Sequence, residues 1–196
     1  ADGVNIHEMN AKDRAKKISV LSQQKNPGAL TVRALVYHGR FPYLGYPRKY
    51  RDEDRKIVDE AMRTAGIYDM ADESLSELSG GQQQKAYIAM LLAQNTDIVF
   101  LDEPVTFLDI NYQLELMEII KELKNNGKTV IMVIHDINLA MSYSDKIIAM
   151  KNGRIVFDDK PKKMCESNVL ESIFGIKANY SYENKQYFFT RIGSEL

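Results

Sequence analysis

Between residues 98 and 150 short apolar runs alternate with amphipathic stretches, and this alternation constrains the fold more than any other feature of the chain. Ile98–Leu101, Thr129–Ile134 and Lys146–Met150 have strand length. Asn111–Asn126 and Ile137–Tyr143 lie between them and read as helices. Strands separated by helices predict a parallel sheet covered on both faces, so the class is α/β. Asn152-Gly153 then turns the chain into Arg154–Phe157 as a hairpin.

Upstream, Asn10–Lys17 reads as a short helix and Ile18–Leu21 as a strand ending before Gln23-Gln24 and a Pro27-Gly28 turn. Thr31 can cap a helix running to about His38. Gly39–Lys49 is rich in aromatics, Gly and Pro and reads as an exposed loop. Asp52–Ala65 places Ile57, Val58, Ala61, Met62 and Ala65 at helical spacing, with Gly66 as its C-terminal cap. Ser79 opens another helix to about Gln94. The block from about Thr31 to Leu78 is helical and reads as an inserted subdomain. The tail offers a helix near Asn168–Phe174 and strands Asn179–Tyr182 and Gln186–Thr190.

Composition narrows the classes. At 196 residues the chain can bury one sizeable core, and its net charge of -1 gives no bulk attraction to nucleic acid. No apolar run reaches the roughly 18 residues that span a bilayer, so work at a membrane requires docking on another protein. With Cys165 alone, no intramolecular disulfide can form.

Two constellations carry chemistry. In Ile98-Val99-Phe100-Leu101-Asp102-Glu103, four apolar residues read as a buried strand with two acids at its carboxyl end, where ligands of parallel sheets bind. That placement suits Asp102 to hold Mg²⁺ and Glu103 to act as general base on a water; two solvated acids are the plain alternative. In Leu78-Ser79-Gly80-Gly81-Gln82, a turn opening a helix presents backbone N–H groups and the positive end of a helix dipole. An ordinary capped helix start is the alternative there. His135 follows the strand Thr129–Ile134, and Gln23 follows Ile18–Leu21; each alone means little.

Taken in order, these segments resemble the nucleotide-binding subunit of ABC transporters. Leu78–Gln82 matches the LSGGQ signature without substitution, and Ile98–Glu103 matches the Walker B strand with its catalytic glutamate. Leu108-Asp109 matches the core of the D-loop, His135 the switch histidine and Gln23 the Q-loop glutamine. The resemblance runs from about residue 1 to about 160. Thr31–Gly45, Lys85–Gln94 and His135–Ala140 further resemble importers of the iron–siderophore, haem and cobalamin type.

The resemblance implies an incomplete P-loop NTPase (RecA-like) sheet with an inserted α-helical subdomain. Residues 1–30 would be the Q-loop part of the core, 31–94 the helical subdomain, 95–160 the Walker B, D-loop and H-loop core, and 161–196 a C-terminal extension. It implies ATP and Mg²⁺ as ligands, with Asp102 and Gln23 serving the metal and Glu103 and His135 catalytic. Ser79, Gly80, Gly81, Gln82 and Asp109 would meet nucleotide across a dimer. The implied partners are a second ATPase subunit, polytopic membrane permease subunits whose coupling helix docks on the helical block, and indirectly a substrate-binding protein. No nucleic acid is expected, and the expected place is the cytoplasmic face of the cell membrane. A non-transport ABC ATPase and a non-catalytic fragment that acts by mixed dimerisation are the alternatives.

The family's phosphate loop, GxxxxGK(S/T), is not found in these 196 residues. Gly127-Lys128-Thr129 fails, because Glu122 stands where the first glycine should and the triplet follows a helix. Asp2-Gly3 reads as a hairpin turn with one arm, with a flexible end that merely contains Asp-Gly as the alternative. Both features lead to the expectation of N-terminal truncation, little ATP hydrolysis by this chain alone, and a sheet with uncovered apolar faces. Val105-Thr106-Phe107 and Lys85 depart from the usual family residues.

Overall fold

The computed structural model describes residues 3, 5–22, 28–106, 108–181 and 186–193, and the chain forms two compact units, 1–133 and 134–196. In chain order the first holds α1 (Ala11–Lys17), β1 (Ile18–Leu21), α2 (Val32–His38), α3 (Asp52–Thr64), α4 (Gly80–Gln94), β2 (Ile98–Asp102), α5 (Ile110–Asn125) and β3 (Thr129–Val133). The second holds α6 (Ile137–Tyr143), β4 (Ile147–Lys151), β5 (Arg154–Asp159), α7 (Pro161–Cys165), α8 (Val169–Phe174), β6 (Ile176–Ser181) and β7 (Gln186–Arg191).

Strands β1, β2 and β3 form a parallel sheet in that order, with Ile18 opposite Ile98 and Ile98 opposite Thr129. Helix α4 packs on β1 and α5 on β3. Because strand side chains alternate, Ser19, Leu21, Val99 and Leu101 are buried while Val20, Phe100, Ile131 and Val133 are exposed. Val20, Phe100 and Ile131 lie in one register row across all three strands. Of the two expectations, a sheet covered on both faces and a sheet with uncovered apolar faces, the second holds: these side chains are exposed, and β2 is half-buried rather than fully buried. An all-apolar run fits both cases, so the sequence could not separate them.

Local signals place the helices. Thr31 Oγ1 accepts from the Ala34 N–H at 3.2 Å and starts α2. Asn10 and Asp109 cap α1 and α5 in the same way. Val32, Val36, Val58, Met62, Leu75 and Ala86 are essentially inaccessible and form the core of the helical block.

The stretch after α2 is not the simple exposed loop its composition suggests. Arg40 and Leu44 are buried, and Phe41–Tyr43 makes a turn of 3-10 helix. Arg40 Nε lies 2.9 Å from Asp54 Oδ1 at the start of α3, and its Nη1 donates to the Ala93 carbonyl at the end of α4. The Arg40 guanidinium also lies 4.0 Å from the Tyr43 ring centroid, while the Tyr43 hydroxyl donates to the Gln94 carbonyl. One buried cation thus joins α2, α3 and α4.

In the second unit β4 pairs with β5 and β6 with β7, both antiparallel. Ala140, Met141, Ile147, Ala149, Met164 and Leu170 are its buried core. Helix α7 was not foreseen; it is five residues long and buries Met164 alone, too little periodicity to read. Gly175, at φ 65°, ends α8, and β6 begins at Ile176, ahead of the expected Asn179.

Candidate active site

The carboxyl ends of β1, β2 and β3 lie on one edge of the sheet because the strands are parallel and in register. Asp102 is the last residue of β2 and is exposed. Glu103 follows at φ 48°, in the left-handed region that side chains other than glycine and asparagine seldom adopt. Its N–H donates to the Val133 carbonyl at 3.1 Å, and its Oε2 accepts from Thr106 Oγ1 at 3.2 Å. Backbone and carboxylate are both held, as an aimed group requires.

The second element is the turn into α4. Ser79 Oγ accepts from the Gln82 N–H at 3.3 Å, and Gln82 Oε1 accepts from the Ser79 N–H at 2.9 Å, a capping box. The space a Cβ would take at Gly80 is open, whereas one at Gly81 would come 2.9 Å from Tyr112 Cδ2. The next glutamines are spent differently: Gln83 Nε2 donates to the Leu78 carbonyl, and buried Gln84 Nε2 to the Pro104 carbonyl at 2.7 Å. Asp109 Oδ1 accepts from the N–H groups of Asn111 and Tyr112, at 3.0 and 3.1 Å. Lys85 Nζ pairs with Glu115 Oε2 at 2.6 Å and stands 4.6 Å from the Tyr112 ring centroid.

Ser79, Gly80, Gly81, Gln82, Asp102, Glu103 and Asp109 all belong to the first unit. His135 is exposed and belongs to the second unit. Gln23 lies outside the described residues. Sequence reasoning missed Gln84, Thr106, Tyr112 and Glu115. Gln84 is one of three consecutive glutamines, and only its burial distinguishes it.

Among the described residues no group of three or more His, Cys, Asp or Glu forms a metal cage. A lone exposed carboxylate at a strand end fits Mg²⁺ carried by a nucleotide, since that ion keeps waters and phosphate oxygens as most of its ligands. For ATP, the residues present fit a phosphate-facing turn and an acidic edge.

Away from this edge, Ala34, Tyr37, His38, Phe41, Tyr50 and Arg55 line an open cleft of about 630 Å³ on α2 and α3. Tyr37 and Tyr50 have ring centroids 4.4 Å apart, and Phe41 stacks on Tyr50 at 6.3 Å. Burial pushes the Tyr50 hydroxyl up, helped by Tyr37 and Asp54.

The chain also resembles known proteins. The model of the ABC transporter family matches residues 1–106. The ferric enterobactin transport ATP-binding protein of Escherichia coli (strain K12) is 42% identical over 178 residues, covering 90% of this chain and 66% of the relative. A petrobactin import ATP-binding protein of Bacillus subtilis (strain 168) is 45% identical over 175 residues, covering 88% of this chain and 69% of the relative. The chain therefore spans about two thirds of the length of the curated relatives it matches.

Among solved structures, a metal-chelate type ABC transporter in an inward-facing conformation superposes with TM-score 0.79 at 21% identity, covering 88% of this chain and 70% of that one. A dimeric bacterial ABC transporter cassette gives TM-score 0.71 at 31% identity, covering 82% and 72%. The fold is the α/β fold of ABC ATPase cassettes. With its LSGGQ turn, its acidic strand end and these matches, the chain belongs to the ABC transporter family.

Proposed function

We propose that this chain is part of the ATP-hydrolysing subunit of an ABC importer, acting in iron–siderophore uptake. One observation carries the reading: a single compact unit holds both an open Ser79-Gly80 turn at a helix N-terminus and the acidic pair Asp102-Glu103 at a sheet edge. The siderophore assignment rests on the curated relatives, whose names include ferric enterobactin, petrobactin and iron(3+)-hydroxamate transport.

In this reading Glu103 takes a proton from a water as its oxygen attacks the γ-phosphorus. The new P–O bond forms while the bond to the bridging oxygen breaks and ADP leaves. The left-handed backbone and the Thr106 hydroxyl aim the carboxylate. Asp102, with Gln23, would hold Mg²⁺, which neutralises phosphate charge when bound. His135 would contact the γ-phosphate. Ser79, Gly80, Gly81 and Gln82 would receive the γ-phosphate of a nucleotide on a partner cassette, where backbone N–H groups and the α4 dipole favour an anion. Asp109 would link the two sites. Residues 1–196 contain no GxxxxGK(S/T), so phosphate-loop contacts are not assigned to them.

No described helix is long and apolar enough to cross a membrane. The partners are a second cassette and polytopic permease subunits at the cytoplasmic membrane face. The aromatic cleft on α2 and α3 is the surface offered to the permease.

The test is purification of the native polypeptide from its own cells with whatever it binds. A polytopic membrane protein should accompany it, and Glu103→Gln should abolish the ATPase activity of the assembly. Co-purification with DNA or ribosomes would make it a non-transport ABC ATPase. ATPase activity indifferent to Glu103→Gln would overturn the catalytic reading.

A further inference from the structure

Tyr112 bridges two motifs that lie far apart in the sequence. Its backbone N–H donates to Asp109 Oδ1, and its ring lies against Gly81, close enough that any Cβ there would collide with it. The ring is itself held. Lys85, one helical turn beyond Gly81, puts its Nζ 4.6 Å from the ring centroid, a cation–π geometry. Glu115, three residues beyond Tyr112, fixes that ammonium at 2.6 Å. The Lys85 side chain is four-fifths buried while Glu115 is 55% exposed, so water screens the ion pair and the ring contact is the more sheltered of the two. Ile88, Leu108 and Leu116 line a narrow gap of about 20 Å³ beside this cluster.

We infer that Tyr112 is a positioning residue for the signature turn, locking Gly80-Gly81 to Asp109 so that the two move as one body. This rests on the reading of Ser79–Gln82 as the turn that meets a partner's nucleotide. Gly80 and Gly81 divide the work: the first leaves open space for a ligand, and the second lets the ring approach the backbone. A displacement of Asp109 at a cassette interface reaches the signature turn through one aromatic ring.

Hydrogen exchange of the full chain tests the lock directly. In Tyr112→Ala the amides of Gln82 and Gln83, which bond Ser79, should exchange about 5- to 30-fold faster, while those of β1–β3 keep their rates. Tyr112→Phe, which keeps the ring, should match wild type. Unchanged rates at Gln82 and Gln83 in Tyr112→Ala overturn the inference. If Tyr112→Ala loosens the strands as well, Glu115→Gln decides: it frees Lys85 without opening a cavity, and no rise at Gln82 and Gln83 overturns the lock.

Association with a phosphate-loop-bearing cassette in ATP is the second readout. Tyr112→Ala should associate about 5- to 30-fold more weakly and Tyr112→Phe as wild type. Equal affinities for the Ala variant and wild type overturn the positioning role. A wild-type chain that never associates refutes the proposed function instead, and the exchange result still decides the lock.

Discussion

Gln84 Nε2 donates to the Pro104 carbonyl across 2.7 Å, joining the signature helix to the turn directly after Glu103. The side chain is buried, so its loss leaves a carbonyl without water to replace the donor. Gln84→Met should cost about 1–3 kcal/mol. Gln84→Glu should be worse, because an acceptor would then face an acceptor. Urea denaturation of the three proteins side by side checks the order; Gln84→Glu as stable as wild type would contradict it.

Glu103 carries a backbone conformation that suits glycine. At φ 48° a Cβ is disfavoured, so Glu103→Gly should be more stable than Glu103→Ala by about 0.5–1 kcal/mol, despite glycine's freer unfolded chain. Both variants lose the carboxylate, which isolates the backbone effect. Thermal melts of the pair measure it, and Ala equal to or above Gly would refute the strain.

Arg40 and Asp54 form an ion pair with both side chains less than a tenth exposed. Removing one partner strands the other charge, so Arg40→Ala should cost about 3–5 kcal/mol. The double variant Arg40→Met with Asp54→Leu should recover much of that loss. A double-mutant cycle in urea gives the coupling, and simple additivity would argue against it.

The same pair sets a pH dependence. Burial pushes the Asp54 carboxyl up, but the Arg51 N–H and the Arg40 guanidinium outweigh it and hold the group below its ordinary range. A carboxyl depressed in the folded state adds stability above its unfolded pKa, near ~4, and loses it as pH falls through the folded value. Between pH 6 and pH 2.5 the urea midpoint of wild type should therefore fall more steeply than that of Asp54→Asn. Parallel curves would remove Asp54 as the cause.

The open sheet face offers a solubility test. Val20 is 62% exposed and Ile131 45%, in one row with Phe100. Val20→Thr with Ile131→Thr should shift the melting point little while lowering light scattering, since exposed apolar patches drive association. A large fall in melting point would mean that this face is packed in the isolated chain.

Much of the fold was legible because it is set locally. Thr31, Ser79 and Asp109 are capping residues whose own side chains bond the backbone two or three residues on, so they mark helix starts in any context. The order of apolar runs set the strands of the parallel sheet, and the LSGGQ turn and the Asp102-Glu103 pair marked the candidate site. Contacts between distant segments were not legible. Arg40 reads as a loop cation until α3 and α4 enclose it. Gln84 looks like its neighbours until Pro104 meets it, and Tyr112 is one aromatic among 11 tyrosines until Gly81 lies beneath its ring. Which face of β2 is covered was equally hidden, because an apolar run records the preference for burial and not the partner that supplies it. By itself the sequence determined the elements and the chemical groups at their ends; the tertiary structure alone decided which side chains hold those groups in place, since such contacts depend on the packing of segments far apart in the chain.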